Sequence, residues 1–430
     1  MDSGGTMGDV TTHQVPVHSP AGHHRQRTFA QSSKLQDVLY EIRGPVHEHA
    51  ARLEAEGHRI LKLNIGNPAP FGFEAPDVIT RDMIQALPYA QGYSDSKGIL
   101  PARRAVVTRY ELVDHFPRFD VDDVFLGNGV SELITMTLQA LLDNGDQVLI
   151  PSPDYPLWTA STSLAGGTPV HYLCDETQGW QPNIADLESK ITERTKALVV
   201  INPNNPTGAV YDREVLTQMV ELARKHQLLL LADEIYDKIL YDDAKHISLA
   251  TLAHDVLCLT FNGLSKAYRV AGYRSGWLAI TGPKDHAESF IEGISLLANM
   301  RLCPNVPAQH AIQVALGGYQ SIDDLVLPGG RLREQRDVAW TKLNEISGVC
   351  CVKPEGALYA FPRLDPEVYD ITDDEQLVLD LLLQEKILVT QGTGFNWPAP
   401  DHLRIVTLPW ARDLSAAIDR LGNFLSSYRQ

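Results

Sequence analysis

Residues 197–233 read ALVVINPNNPTGAVYDREVLTQMVELARKHQLLLLAD. Ala197 to Ile201 is a short, uniformly apolar run. A polar, proline-stiffened loop from Asn202 to Gly208 follows it. Asp212 to His226 has helical spacing, and Leu228 to Leu231 is a second apolar run of leucine alone. Short runs with no polar alternation read as strands buried on both faces, and a strand–helix–strand unit sets its strands parallel. The same pattern extends in both directions. Upstream, Val124-Phe125-Leu126 runs into Gly127-Asn128-Gly129. Ser131-Glu132 then opens an amphipathic helix ending near Leu142, and Asp143 to Asp146 turns the chain into Val148-Leu149-Ile150. Downstream lie Leu257 to Phe261 and Trp277 to Ile280. The expectation is an α/β protein whose large domain holds a mostly parallel sheet covered by helices on both faces. From about Ser321 to Gln430 helix and strand signals mix less regularly, as in a smaller α+β unit. No internal repeat is visible.

The chain has 430 residues, 44% hydrophobic and 21% charged. That composition buries a substantial core and excludes wholesale disorder. Lys plus Arg is 37 against 54 Asp plus Glu, a net charge of −17. Such a surface repels nucleic acid and anionic lipid, while arginines inside a pocket still accommodate small anions. No apolar run approaches the roughly 18 residues of a membrane span. No basic-then-apolar segment stands near Met1, and Cys174, Cys258, Cys303, Cys350 and Cys351 fit no metal or disulfide spacing. Free thiols and a cytoplasmic location are therefore expected. Residues 1–30 are rich in Gly, Ser, Thr, Pro and His and read as a flexible arm. Its His13, His18, His23 and His24 read as solvated side chains, so no metal site is expected. Val46 to Gly57 has helical spacing with Gly57 as its stop.

Ligands of such sheets sit beyond the carboxyl ends of the strands, and five polar groups follow strands here. Gly127-Asn128-Gly129-Val130-Ser131 is either an ordinary turn or, through free helix N–H groups, an anion cradle. In Pro153-Asp154-Tyr155-Pro156 the tyrosine either packs or offers a ring to the site. Asn202 to Gly208, with its doubled Asn-Pro, is a constrained loop whose amides can donate into the site. Asp233, at the end of the leucine strand, is a carboxylate that needs a partner when buried, and Tyr236 lies three residues on. Lys266 follows an apolar strand among small residues, where a partly dry amine becomes a nucleophile. Arg274, eight residues later, suits a phosphate.

Together these strings resemble the fold-type I pyridoxal-phosphate enzymes, specifically the class I/II aminotransferases, over about residues 32–430. They are closest to the bacterial alanine aminotransferases. The match rests on LNIGNPAPFGF from Leu63, QGYSDSKG from Gln91, GNGVSELI from Gly127 and PSPDYPLWTA from Pro151. It continues through INPNNPTGAVY from Ile201, ADEIYDKILYDD from Ala232 and FNGLSKAYRVAGYRSGW from Phe261. MRLCPNVPAQHA from Met300 and QGTGFNWPAPDHLRIVTLP from Gln391 complete it. The resemblance implies a seven-stranded sheet and a division into four parts. These are an arm over 1–30, a segment over 31–75 joining the small domain, a large cofactor domain over 76–317 and a small C-terminal domain over 318–430.

The resemblance also implies site roles. Lys266 forms the Schiff base with pyridoxal 5'-phosphate, and Asp233 pairs with the ring nitrogen. Tyr236 and Asn205 hydrogen-bond the ring's phenolate oxygen, and Tyr155 stacks on the ring face. Val130, Ser131 and Arg274 bind phosphate, with Tyr93 reaching in from the neighbouring subunit of a homodimer. Gly66, Asn205 and Arg404 hold the substrate α-carboxylate. Many relatives carry a phosphate-binding serine three residues before the lysine. Here Gly263 stands there, and Ser265 is the expected substitute. The implied reaction takes alanine and 2-oxoglutarate to pyruvate and glutamate in a ping-pong cycle, with Lys266 as base and then acid. A distal carboxylate needs a cation. The spacing puts Met300 rather than Arg301 where aspartate-specific relatives carry an arginine, so Arg43 is expected to serve. An aminotransferase of broader specificity (valine, 2-aminobutyrate or aspartate) and a C–S β-lyase on the same cofactor stay open. A transcription regulator on the same domain is disfavoured, because the arm offers no helix-turn-helix and no basic face.

Overall fold

The computed structural model describes Met1, residues 29–35, Val38 and residues 45–430. The arm histidines and Arg43 lie outside the described residues. Fifteen strands follow one another in the described chain. They are β1 (Leu61–Lys62), β2 (Val124–Gly127), β3 (Gln147–Ser152), β4 (Thr168–Asp175), β5 (Gln181–Pro182), β6 (Thr195–Ile201), β7 (Leu229–Asp233), β8 (Cys258–Gly263), β9 (Gly276–Thr281), β10 (Val349–Cys350), β11 (Tyr359–Ala360), β12 (Arg363–Leu364), β13 (Ile387–Leu388), β14 (Thr390–Gln391) and β15 (Leu403–Val406).

One sheet runs in the order β2-β9-β8-β7-β6-β3-β4-β5. The four pairings from β8 through β7, β6 and β3 to β4 are parallel, while β9 lies antiparallel between β2 and β8. The sheet has eight strands rather than the expected seven, because the two-residue β5 pairs antiparallel with β4 at the edge. Along the central strands side chains alternate between two apolar cores. Val148, Ile150, Val199, Ile201, Leu229 and Leu231 face one core. Leu149, Leu198, Val200 and Leu230 face the other. Burying each such side chain stabilises the fold by roughly 1.5–3 kcal/mol, and Thr260 in β8 is the one polar side chain buried within the central strands β6, β7 and β8 away from their ends.

At those ends the chemistry changes abruptly. Asn202, Asp233 and Asn262 are polar, buried and adjacent in the sheet, with Ile201 opposite Asp233 and Asp233 opposite Phe261. The Asn202 N–H donates to the Asp233 carbonyl (3.0 Å) and the Glu234 N–H to that of Phe261 (2.9 Å).

A separate core gathers Val46, Ala50 and Leu53 of the helix Pro45–Ala55 with Leu377, Leu381, Leu414, Leu421 and Leu425. β1 pairs parallel with β13 beside it. The helix Arg331–Asn344 crosses between cores: Leu332 packs with Ala311 and Ile312, whereas Ala339 and Leu343 pack with the C-terminal leucines. Among the described residues no helix is long and apolar enough to cross a membrane, and all five cysteines are free thiols.

Candidate active site

The carboxyl ends of β3, β6, β7 and β8 open onto a cavity of about 180 Å³. Ten of the twelve residues expected at the site line it: Lys266, Asp233, Tyr236, Asn205, Tyr155, Val130, Ser131, Arg274, Gly66 and Arg404. Tyr93 does not; it is 82% exposed, away from this chain's own cavity. Arg43 lies outside the described residues.

Asp233 is the last residue of β7 and is buried. Its Oδ2 accepts from Trp158 Nε1 (3.1 Å) and its Oδ1 from the Ile235 N–H (3.3 Å). Burial pushes its pKa up to about 6, raised further by Glu234 and opposed by those hydrogen bonds and by Lys266. No cationic side chain pairs with it among the described residues. A carboxylate so placed calls for a positive partner from a ligand.

Lys266 donates to the Gly66 carbonyl (2.8 Å). Tyr236 and Tyr359 bring their hydroxyl oxygens to 2.6 Å. Arg404, on β15, donates to Asn205 Oδ1 (3.3 Å) and to the Asn64 carbonyl. Its guanidinium also lies over the rings of Phe395 (4.4 Å) and Tyr359 (4.7 Å). With Asn205 Oδ1 occupied, the Nδ2 of that amide is the group left to donate.

At the opposite end the helix Val130–Leu141 begins at the cavity, after Gly129 with φ 80°. Only glycine fits there: the φ is left-handed, and a Cβ would overlap the Arg274 guanidinium. That guanidinium is steered by the carbonyls of Ala271 (2.9 Å) and Asn128 (3.3 Å). Free helix N–H groups, the Ser131 hydroxyl and Arg274 make an anion cradle. The glycine at 263 has a steric cause. A Cβ there would stand 2.8 Å from the Ser275 carbonyl oxygen and 3.0 Å from Gly276 Cα, because β8 and β9 pair glycine to glycine. Ser265 lines the cavity instead.

Arg301 is not available to substrate. It donates to Glu132 (2.6 Å) and to the carbonyls of Ser96 (3.0 Å) and Leu126 (2.8 Å). Met300 beside it is 72% exposed.

Asn64, Ile65, Tyr359 and Trp158 were not anticipated from sequence, although the first three line the cavity and the fourth holds Asp233. Asn64 and Ile65 belong to the LNIGNPAP string, which pointed to Gly66 alone. Tyr359 arrives from 123 residues beyond Tyr236 with no motif to announce it.

The model of the family described as aminotransferase class I and II matches residues 58–421. The chain belongs to the class I and II aminotransferases. It is 89% identical over all 430 residues to the alanine aminotransferase of Mycobacterium tuberculosis, with both chains covered in full. It is 60% identical over 400 residues to the glutamate-pyruvate aminotransferase AlaA of Escherichia coli, covering 93% of this chain and 98% of that one. Among solved structures, an Escherichia coli aminotransferase superposes with a TM-score of 0.93 at 59% identity, over 94% of this chain and all of that one. An alanine aminotransferase from Pyrococcus furiosus gives 0.88 at 38% identity, over 93% of this chain and all of that one.

Aminotransferases of this class work with pyridoxal 5'-phosphate. The residues present fit that group: the unpaired, buried Asp233 suits a protonated ring nitrogen, Lys266 offers an amine and the Ser131–Arg274 cradle suits a phosphate. Among the described residues no His, Cys, Asp or Glu cluster is arranged to hold a metal ion.

Proposed function

We propose that this aminotransferase moves the amino group of L-alanine to 2-oxoglutarate, giving pyruvate and L-glutamate. Supporting it most directly is the full-length 89% identity to an alanine aminotransferase, joined to a cavity in which amine, carboxylate and anion cradle converge. Pyridoxal phosphate supplies an aldehyde for the amino group and a ring that takes up electron density.

In this reading Lys266 carries the cofactor and Asp233 keeps its ring nitrogen protonated. Asn205 Nδ2 and the Tyr236 hydroxyl donate to the ring oxygen, and Tyr155 packs on the ring face. Val130, Ser131 and Arg274 hold the phosphate. Arg404, oriented by Asn205 and Asn64 and flattened between two aromatic rings, grips the substrate α-carboxylate through two parallel hydrogen bonds beside Gly66. That grip presents the Cα–H to Lys266 Nζ, which removes the proton and later returns one, as base and then acid.

Arg43 is proposed to receive the distal carboxylate of glutamate and 2-oxoglutarate, consistent with Arg301 being committed to Glu132. Tyr93, exposed here, is proposed to complete the phosphate site of a neighbouring subunit in a homodimer. The proposed setting is the cytoplasm, without nucleic-acid or membrane partners. The four-part division at residues 30, 75 and 317 is proposed on the same basis, supported by the separate C-terminal core and by the β1–β13 pairing.

The test is a set of single half-reactions on purified enzyme. Alanine and glutamate should each convert the cofactor to its amino form, and pyruvate and 2-oxoglutarate should restore it. Arg43→Ala should slow the glutamate and 2-oxoglutarate half-reactions much more than those of alanine and pyruvate. Inertness toward alanine would refute the substrate, and an equal loss in all four half-reactions would refute the role of Arg43.

A further inference from the structure

We propose that Tyr359 is a positioning residue acting through Tyr236, turning that residue's proton toward the cofactor's ring oxygen and strengthening the hydrogen bond donated there. This rests on the reading of the cavity as a pyridoxal-phosphate site.

The geometry sets up a conflict over one proton. The two phenol oxygens are 2.6 Å apart, a distance that requires a proton between them. Each phenol has one proton to give. Either oxygen can be the donor across this contact. Burial pushes the pKa of Tyr236 well up, helped by Tyr359 and opposed by Arg404. Burial acts on Tyr359 in the same direction, but Lys266, Arg404 and the hydrogen bond with Tyr236 outweigh it and bring its pKa down. The charged and titratable groups facing the pair are thus Lys266, Arg404 and Tyr155.

If Tyr236 is to donate to a ring oxygen, it can no longer donate to Tyr359. The 2.6 Å contact then survives only with Tyr359 donating to Tyr236 and Tyr236 to the ring oxygen. Hydrogen bonds in series polarise one another, so the second becomes stronger than Tyr236 could make it alone. Tyr359 cannot swing away from this duty. β11 pairs it opposite Val406, the Arg404 guanidinium lies over its ring, and the Gly66 backbone presses on its hydroxyl so closely that a Cβ at Gly66 would overlap it.

The test is the absorbance of the lysine-linked cofactor against pH, read without turnover. A donor at the ring oxygen favours the deprotonated, high-pH form, so weakening that donor raises the spectral pKa. Tyr359→Phe keeps the ring and should raise it by about half a pH unit, a fraction of one charge-assisted hydrogen bond. Tyr236→Phe should raise it further, and the double variant should match Tyr236→Phe alone. A fall in Tyr359→Phe would mean that Tyr359 is an acceptor, and would overturn the proposal. So would no shift, or an equal shift in the Tyr236→Phe background. A wild-type chain that forms no borohydride-reducible link to Lys266 would instead overturn the cofactor reading, and the proposal with it. Normal loading with an uncoupled Tyr359 would defeat the proposal alone.

Discussion

Replacing Asp233 by asparagine should change stability and cofactor binding in opposite directions. Without cofactor, burial holds this carboxyl at about 6, against an ordinary aspartate value near 4. A gap of about two pH units corresponds to about 3 kcal/mol. The sign follows from which state binds the proton more tightly. The folded pKa is the higher one, so the group's favourable contribution is present in full below about pH 4 and is lost as pH rises through 6. At pH 8 the ionised, unpaired carboxylate therefore costs the cofactor-free fold about 3 kcal/mol. Asparagine carries no charge and keeps an acceptor for Trp158, so cofactor-free Asp233→Asn should be the more stable protein at pH 8. The gap should narrow below pH 6 and close near pH 4. With cofactor the order inverts. Removing one member of a buried ion pair costs about 3–5 kcal/mol, an affinity loss of about a hundredfold or more. Urea unfolding of the cofactor-free proteins at pH 5 and 8, with fluorescence titration of cofactor, measures both. A cofactor-free Asp233→Asn that is less stable than wild type at pH 8, or that binds cofactor normally, would refute this account of Asp233.

Lys266→Ala should abolish turnover and leave folding nearly untouched, because its Nζ lies at the cavity, where it interacts with the Gly66 carbonyl and the Tyr359 hydroxyl. Borohydride reduction and peptide mapping of wild type should put the label on Lys266 and on no other lysine. Mixing inactive Lys266→Ala chains with inactive Tyr93→Ala chains should restore part of the activity in heterodimers; a fully active monomer at low concentration would rule this out. Gly263→Ser should not recover a phosphate contact but should lower thermal stability by about 1–3 kcal/mol through overpacking, since its Cβ would press on the Ser275 carbonyl and Gly276. Unchanged melting with tighter cofactor binding would show that β8 and β9 can part there.

The central strands were legible because they are almost wholly apolar, with Thr260 the exception. Ala197 to Ile201 and Leu257 to Phe261 lie within a residue or two of β6 and β8. β4 was not read, because Thr168 to Asp175 mixes polar and apolar residues near the sheet edge, where it is only partly buried. The two-residue β5 that adds the eighth strand is too short for any period to register. The same holds for β10 to β14, so the C-terminal unit showed only mixed signals. Within the site, residues that follow a strand directly could be anticipated, as Asp233, Lys266 and Asn205 were. Tyr359 could not, since β11 enters the cavity through a long-range pairing with β15. Trp158 carried no chemical signal of its own, and its donation to Asp233 depends on how its helix meets β7.

Strands that are apolar on both faces are poor at aligning themselves. In a half-buried strand a one-residue slip exchanges greasy for polar side chains and is heavily penalised. In Leu229 to Leu231 it merely exchanges one leucine for another. What marks the correct alignment is the row of Asn202, Asp233 and Asn262 at the strand ends. Sliding β7 one step along its neighbours would carry an ionisable group into leucine, at a cost of several kcal/mol. The ligand-facing residues thus act as a ruler for the sheet. A version of this chain with that row replaced by valine and leucine would lose more than catalysis: its strands would pair in several alignments, and its native state would be a mixture.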